Sequence, residues 1–157
     1  MKITILAIGK TNSGFVSHGI EEYLKRLKRY IKVELQIIPD VKNSKNLTTA
    51  QLIQKEEELL NNALSKDAHT ILLDERGKEY TSIELSTLIE SKMISGAKEL
   101  IFVIGGAYGV SDTIKQTVNE QISMSRLTFS HQMIRLILVE QVYRSMTILR
   151  GEPYHHE

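Results

Sequence analysis

Hydrophobic and polar positions change their period from one block of the chain to the next. Short apolar runs rich in β-branched residues predict strands, whereas apolar residues spaced three or four positions apart predict helices. Five strands are predicted, at residues 3–8, 33–38, 70–74, 101–104 and 122–129. Helical spacing covers residues 15–30, 48–64 and 82–96, resumes at 111, and runs over 131–149. This alternation predicts an α/β fold with a mostly parallel sheet flanked by helices, in which residues 1–157 form a single domain.

The fourth predicted strand runs directly into a glycine-rich turn at residues 105–109, which has glycine at three of its five positions. Glycine lets the main chain approach a bound molecule closely, although such a turn alone is explained equally well as a purely structural one. Ligands of parallel sheets collect beyond the carboxyl ends of the strands. We therefore expect the glycine turn, residues 74–78 and the segment after Ser125 to border one crevice.

Two familiar phosphate-binding motifs do not fit this chain. A P-loop requires Gly-Lys followed by Ser or Thr, but Gly77 and Lys78 are followed by Glu79. The dinucleotide fingerprint is only half met, by Gly106 and Gly109. ATP or GTP hydrolysis and nicotinamide binding are therefore disfavoured, and the expected ligand need not carry phosphates.

Composition removes further classes of protein. The chain has no cysteine, so neither a disulfide nor a thiolate metal site is expected, and the five histidines lack metal-binding spacing. The first apolar run, residues 3–8, is too short for a signal peptide or a membrane span. We expect a soluble cytoplasmic protein that binds neither metal nor membrane.

Net charge is +1, but the positive charge is concentrated in the first half of the chain. Residues 25–32, the basic run, contain five Lys or Arg side chains and Tyr30. This run is interpreted either as a phosphate-contacting patch or as a solvated helix face.

The last predicted helix carries apolar residues on more than one face. One stripe is Ile134, Leu138, Val142 and Met146, and the other is Leu136, Val139, Tyr143 and Met146. A helix with two apolar faces is buried on both sides. In so short a chain the second stripe favours contact with another subunit, which predicts a two-fold homodimer, and the alternative is a central helix in a monomer.

Six short motifs follow one another along the whole chain. They are Met1-Lys-Ile-x-Ile-x-Ala-Ile-Gly-Lys10, Leu72-Leu73-Asp74-x-x-Gly77-Lys78, Phe102-Val103-Ile104-Gly105-Gly106-x-x-Gly109, Ser123-x-Ser125-x-Leu127-Thr128-Phe129-x-His131-Gln132, Glu140-Gln141-x-Tyr143-Arg144 and Gly151-x-Pro153-Tyr154-His155. In these motifs the chain resembles the bacterial ribosomal RNA large subunit methyltransferase H family, which belongs to the SPOUT class. The resemblance implies a SPOUT-like α/β knot, a deep trefoil in the C-terminal part of the chain.

The resemblance also implies an activity and a cofactor. The implied reaction is methylation of N3 of a pseudouridine in 23S rRNA of the large ribosomal subunit, with S-adenosyl-L-methionine as methyl donor. This donor has no phosphate, which agrees with the incomplete phosphate motifs. Matching the motifs position by position implies cofactor contacts at Leu73, Gly105, Met124, Ser125, Arg126, Leu127, Thr128 and Phe129.

A base that removes the N3 proton of pseudouridine would make N3 a better nucleophile. The candidates are His131, Tyr154 and His155. His131 is explained equally well as a histidine that bonds to the backbone at a helix start. Tyr154 and His155 have no core role visible in the sequence, which favours function. Arg126 and Arg144 are candidates for phosphate contacts.

One rival interpretation shares most of these features. A non-catalytic ribosome- or RNA-binding α/β dimer would use the same basic run, but it would not need a crevice lined by glycine. Binding of S-adenosylmethionine or its product separates the two interpretations.

Overall fold

The computed structural model describes residues 1–156, in which five strands form one parallel sheet. The strands are β1 (Lys2–Ile8), β2 (Lys32–Ile38), β3 (His69–Glu79), β4 (Glu99–Ile104) and β5 (Glu120–Ser123). Their order across the sheet is β2-β1-β4-β3-β5, and each neighbouring pair is parallel. All five strands therefore end at the same edge of the sheet, as the alternating sequence pattern predicts.

Helices cover both faces of the sheet. They are α1 (Gly14–Leu27), α2 (Thr49–Ala63), α3 (Ser82–Ile94), α4 (Asp112–Thr117) and α5 (Met133–Leu149), with a short 3₁₀ helix at Ser44–Asn46. One face is packed by α1, α3 and α5, and the other by α2 and α4. Hydroxyl caps start three of these helices, because Thr48, Thr81 and Ser111 each accept a backbone N–H of the first turn. No helix within residues 1–156 combines the length and the apolar composition needed to cross a membrane.

The central strands are apolar on both faces because each face has its own helical layer. In β1, Ile3 and Ile5 point to the layer of α1, α3 and α5, whereas Leu6 and Ile8 point to the layer of α2 and α4. Successive side chains of a strand alternate between its faces, so a doubly covered strand is continuously hydrophobic. The edge strand β2 instead alternates between exposed and half-buried residues.

The predicted fifth strand is too long. β5 ends at Ser123, and the prediction of a strand from Ile122 to Phe129 is therefore wrong beyond that residue. The hydroxyl of Ser123 donates to the carbonyl of Ser125 at 3.0 Å, and the Ser125 hydroxyl accepts the N–H of Leu127 at 2.9 Å. These local bonds compete with the strand ladder and turn the chain into a loop.

The apolar stripes of α5 are used largely within the chain. α5 packs against both α1 and α3, and Leu138, Val139, Val142 and Met146 are all buried in their common core. The burial of these residues therefore does not require another subunit, because α1 and α3 of the same chain cover them, as the central-helix alternative predicts. The homodimer itself stays a prediction.

Residues 74–77 form a bulge between two stretches of pairing. Leu73 and Lys78 both lie opposite Ile122 of β5, so the residues between them leave the ladder. Gly77 passes so close to β5 that a Cβ built on it would lie 2.6 Å from the Ile122 nitrogen. Only glycine fits at this position. The C-terminal knot stays a prediction.

Replacing Gly77 by alanine is expected to destabilise the protein by at least about 3 kcal/mol, the upper end of the usual range for overpacking. The added methyl would meet the Ile122 backbone, which cannot rotate away. Urea denaturation measures the change. Gly14→Ala is the matched control, because a Cβ at Gly14 meets nothing within 4 Å. Equal stability of the two variants would contradict this account of the crossing.

Candidate active site

Two adjoining cavities lie at the carboxyl edge of the sheet. The first has a volume of about 150 Å³ and the second about 300 Å³. Leu73, Asp74, Phe129 and Ile134 line both of them. The two cavities therefore form one crevice bordered by the bulge of β3 and the ends of β4 and β5, where the sequence predicts it.

The glycine turn forms one wall of this crevice. A Cβ built on Gly105 would lie 2.7 Å from Cγ1 of Val110, and one built on Gly106 would lie 2.6 Å from Oε2 of Glu56. Gly109 has a φ of +81° and donates its N–H to the Gly106 carbonyl at 3.1 Å. Glycine is thus required at these positions by the packing and by the backbone conformation, and the turn also presents bare backbone to the second cavity.

The loop between β5 and α5 forms the opposite wall. Seven of the eight positions implied as cofactor contacts line the crevice, namely Leu73, Gly105, Met124, Ser125, Leu127, Thr128 and Phe129. Arg126 is the exception. Its side chain is 91% exposed and lies 3.3 Å from Glu79, so it is directed to solvent.

Asp74 brings a carboxylate into both cavities. Burial acts to raise its pKa, but Lys115 at 2.8 Å and the Arg76 N–H at 2.9 Å outweigh burial, so the pKa of Asp74 lies below its usual value. Asp74 is therefore ionised at neutral pH and can accept hydrogen bonds from a ligand. The sequence places Asp74 at the crevice only as part of a loop.

His131 is exposed at the rim of the second cavity. It precedes α5 by two residues, because the Ser130 hydroxyl accepts the Met133 N–H and delays the start of the helix. Of the three proposed bases, His131 alone is among the residues that line these two cavities.

Tyr154 and His155 lie in the C-terminal tail, away from the crevice lining. The Tyr154 hydroxyl is 3.2 Å from that of Tyr23 and 3.1 Å from Oε1 of Glu140, and its ring packs edge-on against Tyr143. The view that the tail has no core role is therefore wrong for Tyr154. Burial, the hydrogen bond to Tyr23 and the nearby Glu140 raise the pKa of Tyr154, which keeps the phenol neutral and makes it a donor rather than a base.

Arg135 is fully buried, and none of the sequence predictions includes it. Its guanidinium donates to the carbonyls of Ile8 at 2.6 Å and Gly9 at 2.8 Å, and to the Thr11 hydroxyl at 2.9 Å. Burial lowers the pKa of Arg135, and the nearby Asp40 acts in the opposite direction. The one feature of the sequence that indicates this burial is the position of Arg135 between apolar neighbours near the start of α5.

Gln132 reinforces the same junction. Its Oε1 accepts the backbone N–H groups of Asn12 at 3.0 Å and Ser13 at 2.9 Å, just before α1 begins. Together with Arg135, it joins the start of α5 to the turn between β1 and α1. The loop that carries the crevice residues is thus anchored at its far end.

No three His, Cys, Asp or Glu side chains within residues 1–156 are grouped to hold a metal ion. The crevice lining offers backbone amides, hydroxyls, the carboxylates of Asp74 and Glu75, the imidazole of His131 and apolar side chains.

Solved structures of methyltransferases share this fold. A probable methyltransferase from Bordetella pertussis Tohama I aligns with 92% of this chain and 94% of its own, with a TM-score of 0.59 and 10% identity. The tRNA (m1G37) methyltransferase from Aquifex aeolicus aligns with 100% of this chain and 76% of its own, with a TM-score of 0.59 and 15% identity. At such low identity these likenesses show the fold alone.

Residues 1–155 match the family described as "Predicted SPOUT methyltransferase", which gives the class of the protein. Over 157 residues and 100% of both chains, the sequence is 53% identical to Ribosomal RNA large subunit methyltransferase H of Parabacteroides distasonis. It is 51% identical, again over 100% of both chains, to the protein of the same name from Flavobacterium johnsoniae. The chain belongs to this family of SPOUT methyltransferases, and the resemblance found in the six motifs is confirmed.

Replacing Arg135 by methionine is expected to destabilise the protein by about 3 kcal/mol or more, because two buried carbonyls lose their donor. Arg150→Met, at the exposed end of α5, is the control and should change stability by less than about 0.5 kcal/mol. Chemical denaturation checks both values. A small effect at Arg135 would show that water replaces the guanidinium without loss.

Proposed function

We propose that this protein transfers a methyl group from S-adenosylmethionine to N3 of a pseudouridine in 23S rRNA, and that it acts as a homodimer in the cytoplasm. The observation that carries the proposal is the glycine-walled crevice at the sheet edge, in a chain about half identical to proteins named as large subunit rRNA methyltransferases. The crevice favours an enzyme over a non-catalytic RNA-binding dimer.

The crevice has the character that this cofactor requires. Gly105 and Gly106 expose backbone where a side chain would collide, and the lining includes the apolar Leu73 and Phe129. When bound, S-adenosylmethionine supplies a methyl group activated by a positively charged sulfur. The ionised Asp74 favours a ligand with positive charge or hydroxyl groups, and the motifs that bind phosphate are incomplete.

His131 is the residue best placed to handle the substrate proton. N3–H of pseudouridine is a weak acid, and a base within hydrogen-bond reach makes the nitrogen more nucleophilic. His131 stands at the rim, accessible to an RNA base that enters from solvent. The remaining task of the protein is alignment, which the loop between β5 and α5 and the glycine turn serve by holding both walls in place.

The positions of the tail and the basic run support a dimer. α1 starts at the carboxyl edge of the sheet and runs to the opposite edge, so its basic end lies away from the crevice. The tail is bound to that same end, because Arg29 pairs with Glu152 at 2.8 Å. We infer that the tail and the basic run serve the crevice of a partner subunit and contact RNA phosphates there.

The activity is tested with labelled S-adenosylmethionine and large ribosomal subunits, followed by mass spectrometry of the rRNA. Label at N3 of one pseudouridine is expected. Leu73→Asn should weaken binding of S-adenosylhomocysteine at least about tenfold, since it removes apolar contact from both cavities. Ile94→Asn, at an 80% exposed position near the opposite sheet edge, should leave calorimetric binding unchanged. RNA binding without cofactor binding or methyl transfer would instead support the non-catalytic alternative.

A mixing experiment tests the shared site. His131→Ala and His155→Ala are each expected to reduce kcat/KM about 100-fold, through loss of the base and of a tail contact to RNA, with cofactor binding retained. Random exchange of the two inactive variants should restore about a quarter of wild-type activity, because half of the dimers then contain one intact site out of two.

Sedimentation measures the dimer independently of activity. No recovery on mixing would place both histidines in the same subunit's site. Normal activity of His131→Ala would exclude it as the base, and normal activity of His155→Ala would exclude a role for the tail in catalysis.

A further inference from the structure

A third cavity lies behind the glycine turn, on the side of β1 and α2. Its volume is about 140 Å³. Gly106, Ala107 and His131 line both this cavity and the second cavity of the crevice. Its remaining lining residues are Ile8, Asp40, Val41, Ser44, Leu52 and Glu56. The third cavity therefore adjoins the crevice along these three residues, which include the proposed base.

Glu56 lines the third cavity, and one oxygen of its buried carboxyl group is unsatisfied in the described part of the chain. It is 7% exposed, and its Oε2 has no hydrogen-bond partner among residues 1–156. The same oxygen lies against Gly106, as the 2.6 Å distance from a built Cβ shows. Burial, together with the charge of Asp40, raises the pKa of Glu56. A buried polar atom without a partner is rare and unfavourable in a folded protein, so it calls for an explanation.

We propose that the third cavity receives the pyrimidine ring of the target nucleotide and that Glu56 accepts a hydrogen bond from its N1–H. This inference rests on the proposed function and assigns a substrate-discriminating role within it. Pseudouridine is joined to ribose through C5, so its N1 carries a hydrogen. Uridine is joined through N1 and presents a C–H group at the corresponding ring position. An oxygen acceptor at this place therefore distinguishes the two nucleotides.

The size and position of the cavity suit one base. The third cavity, at about 140 Å³, is close in volume to the cavities of about 150 Å³ that bind benzene in other proteins, so it can hold a six-membered ring. N1 and N3 of the base are separated by one ring carbon, so Glu56 and His131 can engage different nitrogens of the same ring. The lining residues that the third cavity shares with the crevice place such a ring next to the proposed cofactor site.

A neutral occupant agrees with the electrostatics better than a cation does. Burial and the nearby Asp40 favour the protonated form of Glu56, which attracts a cation less strongly than a carboxylate does. The N1–H group of the nucleobase needs only one oxygen lone pair as acceptor, and a carboxylate and a carboxylic acid both provide one. When a site is built to bind a substrate N–H, an analogue without that group leaves the site's polar atom unpaired and is strongly rejected.

The test compares ribosomal subunits that carry pseudouridine at the methylated position with subunits that carry uridine there. Wild-type enzyme is expected to favour pseudouridine at least about 100-fold in kcat/KM. Glu56→Met should reduce this preference at least about tenfold without changing calorimetric binding of S-adenosylhomocysteine. Glu56→Gln keeps an acceptor oxygen and should retain most of the preference. Glu58→Met, on the exposed side of α2, is the matched control.

A second variant tests the cavity without altering Glu56. Ser44→Phe should fill the third cavity and lower kcat/KM for pseudouridine subunits at least about tenfold, with cofactor binding unchanged. An unchanged preference in Glu56→Met, or normal activity of Ser44→Phe, would overturn the inference.

Three further results would also overturn the inference. Weaker S-adenosylhomocysteine binding in Glu56→Met would assign the cavity to the cofactor. Equal wild-type activity on both substrates would remove base discrimination but leave methyl transfer to rRNA intact. If wild-type enzyme methylates neither substrate while binding the cofactor, the proposed function fails as well.

Discussion

The buried guanidinium of Arg135 determines how the crevice is held together. It joins the first turn of α5 to the backbone at the end of β1, through two carbonyls and the hydroxyl of Thr11. The loop between β5 and α5 is therefore anchored by the sheet at Ser123 and by this cluster at its other end. A loop fixed at both ends keeps its side chains in place without regular structure of its own. The walls of the crevice depend on that anchor.

Chemically different groups are concentrated at the two edges of the sheet. The carboxyl edge holds the glycine turn, Asp74 and His131, together with a buried carboxyl behind the turn. The opposite edge holds the basic run, and Arg29 there is bound to the C-terminal tail. One chain therefore separates its crevice from its positive surface. In the proposed homodimer, the positive surface of one chain would lie beside the crevice of the other, over one RNA.

Most of the fold follows from local sequence patterns. The prediction from sequence fails where long-range packing or side-chain hydrogen bonds determine the structure. β1 and β4 are recognised because both of their faces are covered, which makes them continuously apolar. β5 is predicted too long because the serine hydroxyls at 123 and 125 turn the chain, and apolar content does not reveal this. The stripes of α5 indicate burial correctly, but they do not specify whether the covering helices belong to the same chain.

The sequence by itself determined the α/β class, the common edge of the strand ends, the glycine turn and, through six motifs, the family. These features depend on residue type and short-range order. Only the tertiary structure decided that Arg135 and Glu56 are buried, that Arg126 points to solvent and that Tyr154 packs into a tyrosine cluster. Arg135 meets partners more than 120 residues away, and the burial of Glu56 depends on contact with Gly106. Charge and burial at such positions are properties of the assembled chain, because desolvation depends on all the surrounding elements.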